Sequence, residues 1–108
     1  MASKSNIVID QGTTFNVTFT FVDAVNNPID FSTYTGASQI RKSYQSTTAY
    51  SFSVSLANNG LISLGMNANT TSTLYPGRYL YDLEVTDPSG IKSRLVEGIV
   101  TVTGEITR

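Results

Sequence analysis

The sequence has 108 residues, with seven basic and eight acidic side chains, no histidine and no cysteine. A net charge of −1, with no basic run longer than Arg41-Lys42, leaves no electrostatic footprint for nucleic acid. The missing histidine and cysteine remove Ser-His-Asp and thiolate catalysis, zinc fingers and most transition-metal sites.

This length suits one domain, residues 1–108, built around one core. The charged fraction is only 14%, and Ser, Thr and Asn replace the missing charge, which favours strands over helices. After Met-Ala-Ser-Lys-Ser only Ile7, Val8 and Ile9 form an apolar run, too short for a signal-peptide core or a membrane span. The expectation is a protein made in the cytoplasm, with no membrane partner. The sequons at Asn16 and Asn69 are chance products of a Ser/Thr-rich chain.

In chain order, Thr14 to Val22 alternates strictly, with Phe15, Val17, Phe19 and Phe21 on one face and Asn16, Thr18 and Thr20 on the other, the pattern of a half-buried strand. The turn at residues 23–28 leads through Ile29 and Phe31 to Tyr34, an apolar tuck at one end of the core. Gly36 to Ser43 reads as the next strand. Tyr50, Phe52, Val54 and Leu56 alternate with serines as one further strand. Asn58-Asn59-Gly60 is a three-residue hairpin loop that sets Leu56 opposite Ile62, Val54 opposite Leu64 and Phe52 opposite Met66. A capped single helical turn is expected between Asn69 and Leu74, stopped by Pro76-Gly77.

Tyr79, Tyr81, Leu83 and Val85 mark the strand from Arg78 to Thr86, and a three-residue loop at Pro88-Ser89-Gly90 leads to the last, Ile91 to Thr103. That loop sets Leu83 opposite Leu95 and Glu84 opposite Arg94. Glu97 then falls on the inward parity, so a bulge is expected at Gly98 to turn it outward. The whole is all-β, an immunoglobulin-like β-sandwich of about seven antiparallel strands. Its expected core is Phe15, Val17, Phe19, Tyr50, Phe52, Val54, Ile62, Leu64, Tyr79, Tyr81, Leu83 and Val85.

Chemistry is sparse. Asp82 and Glu84 share a strand face, and Lys92 and Arg94 have the parity to meet them in a cross-strand charge ladder rather than a catalytic carboxylate pair. Asp23, Asn26, Asn27 and Asp30 make an oxygen-rich loop that reads as a turn in which Asx side chains bond their own backbone, with calcium as the minor alternative. The eight glycines form no phosphate-cradling motif. No catalytic, cofactor-binding or metal residue is assigned, and the chain is expected not to be an enzyme. Among the tyrosines, Tyr50, Tyr79 and Tyr81 have inward parity, which leaves Tyr44 and Tyr75 as surface candidates.

The run Leu74 to Gly90, followed by Arg94 to Val102 and Ile106-Thr107-Arg108, resembles small virion proteins of tailed phages. Gln11 to Phe15, Asn27 to Phe31 and Ala37 to Lys42 extend the likeness over nearly the whole chain. The sequence resembles in particular the N-terminal immunoglobulin-like domain of the phage upper-baseplate protein family, which anchors receptor-binding components to the tail. The resemblance implies a bacteriophage structural protein of the virion, in baseplate, tail, neck or head, assembling with other virion proteins and as a homo-oligomer on the particle. A carbohydrate-binding or adhesion module is the alternative. Asn6, Ile7, Val8 and Ile9 are expected to add to a neighbour's sheet, because they carry no charge before Asp10 and lie beside a terminus expected to be mobile.

Overall fold

The computed structural model describes residues 3–43, 45–46 and 48–104. Its strands are β1 (Ser3–Lys4), β2 (Ile7–Asp10), β3 (Phe15–Thr20), β4 (Thr35–Arg41), β5 (Ala49–Ser51), β6 (Ser53–Leu56), β7 (Leu61–Met66), β8 (Gly77–Thr86) and β9 (Lys92–Thr103), with one short helix, α1 (Ala68–Thr71), before β8. They form two sheets packed face to face, an all-β sandwich with immunoglobulin-like strand order. The larger sheet runs β1-β9-β8-β4-β5, with β2 continuing β1 alongside β9, and the smaller runs β3-β7-β6. The expected sandwich is present, with one change of direction: β1 and β2 run parallel to β9, so the larger sheet is mixed.

Alternation makes the layers. Ile9, Ile40, Ile62, Leu64, Leu83 and Val100 are fully buried between the sheets, while the intervening residues of each strand face outward. Phe31 closes one end, packed edge-on against Phe21 and Tyr34. Of the expected core, Phe52, Ile62, Leu64, Tyr79, Tyr81, Leu83 and Val85 are buried, whereas Phe15, Val17, Phe19, Tyr50 and Val54 are only half-buried. Each of the half-buried residues sits on an outermost strand (β3, β5 or β6) and lacks a flanking neighbour on one side.

The segment expected to be one strand from Tyr50 to Leu56 is two. Tyr50 pairs with Ile40 in the larger sheet, the Phe52 amide donates to the Ser38 carbonyl at 2.9 Å, and the chain then crosses to pair Val54 with Leu64 and Leu56 with Ile62. Gly36 makes the crossing feasible, because a Cβ there would lie 2.9 Å from Val54 Cγ1. Phe52 therefore belongs to neither ladder and does not pair with Met66. Instead its ring packs between Phe15 and Tyr81.

The two hairpins follow the turn chemistry. Gly60 takes φ +81°, closing the β6–β7 loop. In the β8–β9 loop, Asp87 Oδ1 accepts the amides of Ser89 and Ile91, and Glu84 pairs with Arg94. The bulge, however, falls at Leu95 and not at Gly98: Leu83 lies opposite Val96, and the ladder runs unbroken through Tyr81 opposite Gly98. One extra residue before Val96 already restores the alternation that turns Glu97 outward, so no second irregularity is needed. Helix α1 starts two residues earlier than the polar cap at Asn69 suggested, because the Asn67 side chain accepts the Thr70 amide at 2.8 Å.

Candidate interaction surface

The amino-terminal segment belongs to the domain's own sheet. Ile7 pairs with Val100 and Ile9 with Val102, and both isoleucines are buried. Asn6 is exposed, yet its Oδ1 accepts the Ile99 amide at 3.0 Å, replacing a backbone partner where β1 breaks from β2. Val8, at 59% exposure, points its side chain outward. The break is built around Gly98. A Cβ at that position would stand 2.2 Å from the Ser5 carbonyl oxygen, which also accepts the Tyr81 hydroxyl at 2.6 Å. Asn6 to Ile9 are thus strand residues already paired on one side, with only the other side of β2 unshared.

Tyr75 is 80% exposed, and its carbonyl accepts the Tyr79 hydroxyl at 2.8 Å, a bond across the corner that enters β8. This is the corner contact that immunoglobulin-like folds place at the start of such a strand. Burial raises the Tyr79 hydroxyl above its ordinary pKa, and Lys42 Nζ lies 4.7 Å from the ring centroid. Tyr44 lies outside the described residues.

The outer face of the larger sheet carries a shallow groove of about 300 Å³ bounded by Gln39, Arg41, Asp82, Glu84, Arg94 and Glu97. The bulge at Leu95 places Asp82 directly opposite Glu97, a like-charge pair that costs stability unless bridged. Arg94 provides the bridge, reaching past Glu84 to Asp82 at 3.3 Å and to Glu97 at 4.0 Å. Burial and then Glu84 push the Asp82 carboxyl above the usual carboxylate range, while Arg94 opposes them. The expected ladder is therefore a network around one arginine. Half-exposed as it is, it contributes on the order of 0–1 kcal/mol. Gln39 and Arg41 were not singled out from the sequence; Glu97 faces outward as expected, but through the bulge at Leu95 and not one at Gly98.

The oxygen-rich loop uses its side chains internally. Asp23 Oδ1 accepts the amides of Val25 and Asn27, Asn26 takes φ +68°, and Asp30 Oδ1 accepts the Ser32 amide. The Ser32 side chain, and after it the Ser32 amide, hold the Asp30 carboxyl below its usual range by hydrogen bonding.

No protein-family model matches the sequence, and no curated protein matches it. Among solved structures, an internalin-like protein of Listeria monocytogenes superposes with a TM-score of 0.50 at 18% identity, covering 94% of this chain and 28% of that one. A family 123 glycoside hydrolase from Clostridium perfringens aligns with a TM-score of 0.44 at 12% identity, covering 97% of this chain and 24% of that one. The chain thus spans about a quarter of each of these longer proteins, and the likeness to the first is one of fold: a single immunoglobulin-like sandwich.

Proposed function

We propose that this domain is a structural and interaction module of a tailed-phage particle, binding other virion proteins through strand edges and loop ends, without catalysis. The observation that carries the reading is the resemblance running through Leu74 to Gly90 and Arg94 to Val102, which falls on the corner before β8 and on the β8–β9 hairpin. Those residues have scaffold duties: Tyr79 ties the corner, Asp87 caps the loop, and Val96, Val100 and Val102 fill the core. The sequence contains neither histidine nor cysteine, and Asp82, the carboxylate that burial pushes above its ordinary range, is engaged by Arg94. Protein composition of purified particles tests the reading, which expects the chain among the stoichiometric components.

A carbohydrate-binding or adhesion module is the second reading, with the exposed ring of Tyr75 in its favour. Sugar platforms stack on exposed aromatic faces, and among the described residues the other aromatic rings are buried or half-buried. A glycan array separates the two readings: binding that is lost in Tyr75→Ala supports the second.

A further inference from the structure

We infer that strand β3 is a homodimerisation edge, on which a second copy of this chain docks its own β3 antiparallel to form a continuous six-stranded sheet. The inference rests on the fold alone and does not depend on the phage reading.

Three observations converge on β3. Backbone geometry supplies the first. Strand β3 is outermost in its sheet, paired residue for residue with β7 from Phe15 opposite Met66 to Thr20 opposite Leu61. The Phe21 amide donates to the Gly60 carbonyl, which fixes the phase: the odd-numbered residues turn their backbone groups toward β7, and Asn16, Thr18 and Thr20 turn theirs to the open side. Among the described residues, no hydrogen bond is made to the amides or carbonyls of those three.

The second observation is charge. Residues 11–22 contain no charged side chain and no proline, the devices with which outermost strands usually repel pairing. The other edges are less suited to it. Strand β5 has three residues and β6 four, while the β1–β2 edge is broken at Ser5-Asn6 and carries Lys4 and Asp10.

The third is incomplete burial. Phe15, Val17, Phe19 and Phe21 all face the core side but stay half-buried. Their inward faces are left partly open along the unshared side of β3, the side a second copy would cover.

A second β3 satisfies all three conditions. With the two-fold axis at Thr18, Thr18 of one copy pairs with Thr18 of the other, and Asn16 pairs with Thr20, using the open donors and acceptors. Val17 then meets Phe19 across the axis and Phe15 meets Phe21. An isologous edge requires self-complementarity, and an uncharged strand of alternating Thr/Asn and Phe/Val meets that requirement where a charged one would not.

Sedimentation equilibrium over a range of concentrations tests this, with Thr18→Lys and Thr18→Glu as variants. The Thr18 side chain is exposed and its hydroxyl meets that of Ser63 on the surface at 3.0 Å, so each variant should fold, and at dilutions where both are monomeric should unfold much like the native chain. Each sets like charges directly opposite at the axis and should weaken the dimer about tenfold or more. An equimolar mixture of the two variants should recover association, and Ser89→Lys in the β8–β9 loop should leave it unchanged. Amide exchange gives a readout on the unsubstituted chain: Asn16, Thr18 and Thr20 should be protected in the dimer and exposed on dilution. A chain monomeric at every concentration, association indifferent to both Thr18 variants, or unprotected amides at the three positions overturns the inference.

Discussion

At the scale of single residues, Gly98 decides how the amino terminus joins the sheet. The Ser5 carbonyl occupies the space a Cβ would need, and the same oxygen anchors the Tyr81 hydroxyl. Gly98→Ala forces backbone apart rather than a flexible side chain, and should cost about 1–3 kcal/mol with loosening of β1 and β2. Denaturant unfolding together with amide exchange at Ile7 and Ile9 checks this, and unchanged protection would refute it. Asp82 carries a pH signature. Because its folded pKa is raised, the native state holds this proton more tightly than the unfolded chain, so stability falls as pH rises from the ordinary carboxylate range through the folded value. Asp82→Asn removes that fall. The variant should therefore compare more favourably with the parent at neutral pH than below the ordinary carboxylate range, as read from melting curves at the two pH values.

Among the elements, what was legible in the sequence was parity, and what was hidden was any event that preserves it. The alternation of Tyr50, Phe52, Val54 and Leu56 continues unbroken through the crossing at Phe52, since each residue faces the same core from one sheet and then from the other. Periodicity therefore reads one strand where there are two. The Leu95 bulge is the converse case: parity did signal an irregularity between Arg94 and Val100, but not which residue would be extruded. Gly98 drew the expectation because glycine commonly marks bulges, whereas here it marks a close approach of the amino-terminal strand. Absence of charge marks Asn6 to Ile9 as a candidate edge but does not show that Ile7 and Ile9 are core residues, which only their pairing with β9 reveals. Deletions separate the two kinds of position on β9. Removing Leu95 closes the bulge and keeps every later residue on its face, so a loss of about 1–2 kcal/mol is expected from its half-buried side chain. Removing the outward-facing Ile99 inverts Val100 and Val102, each worth about 1.5–3 kcal/mol buried, and should abolish cooperative unfolding in a domain of marginal stability. Equal tolerance of the two deletions would contradict the observed register.

For the whole molecule, the distribution of charge separates the two sheets. Strands β3, β6 and β7 hold no ionisable Asp, Glu, Lys or Arg, while the outer face of the larger sheet holds the network of Asp82, Glu84, Arg94 and Glu97. One face is charged and solvated. The other is a layer of Asn, Ser and Thr bordered by an open edge, a surface suited to continuing a sheet into a neighbour and poorly suited to holding a small molecule. Such a surface is compatible with assembly, and the proposal that the assembly is a phage particle rests on the resemblance through Leu74 to Gly90 and Arg94 to Val102. The most direct test is quantitative mass spectrometry of density-purified particles: the account predicts this chain at a copy number comparable with other structural components, and its absence from infectious particles would contradict it.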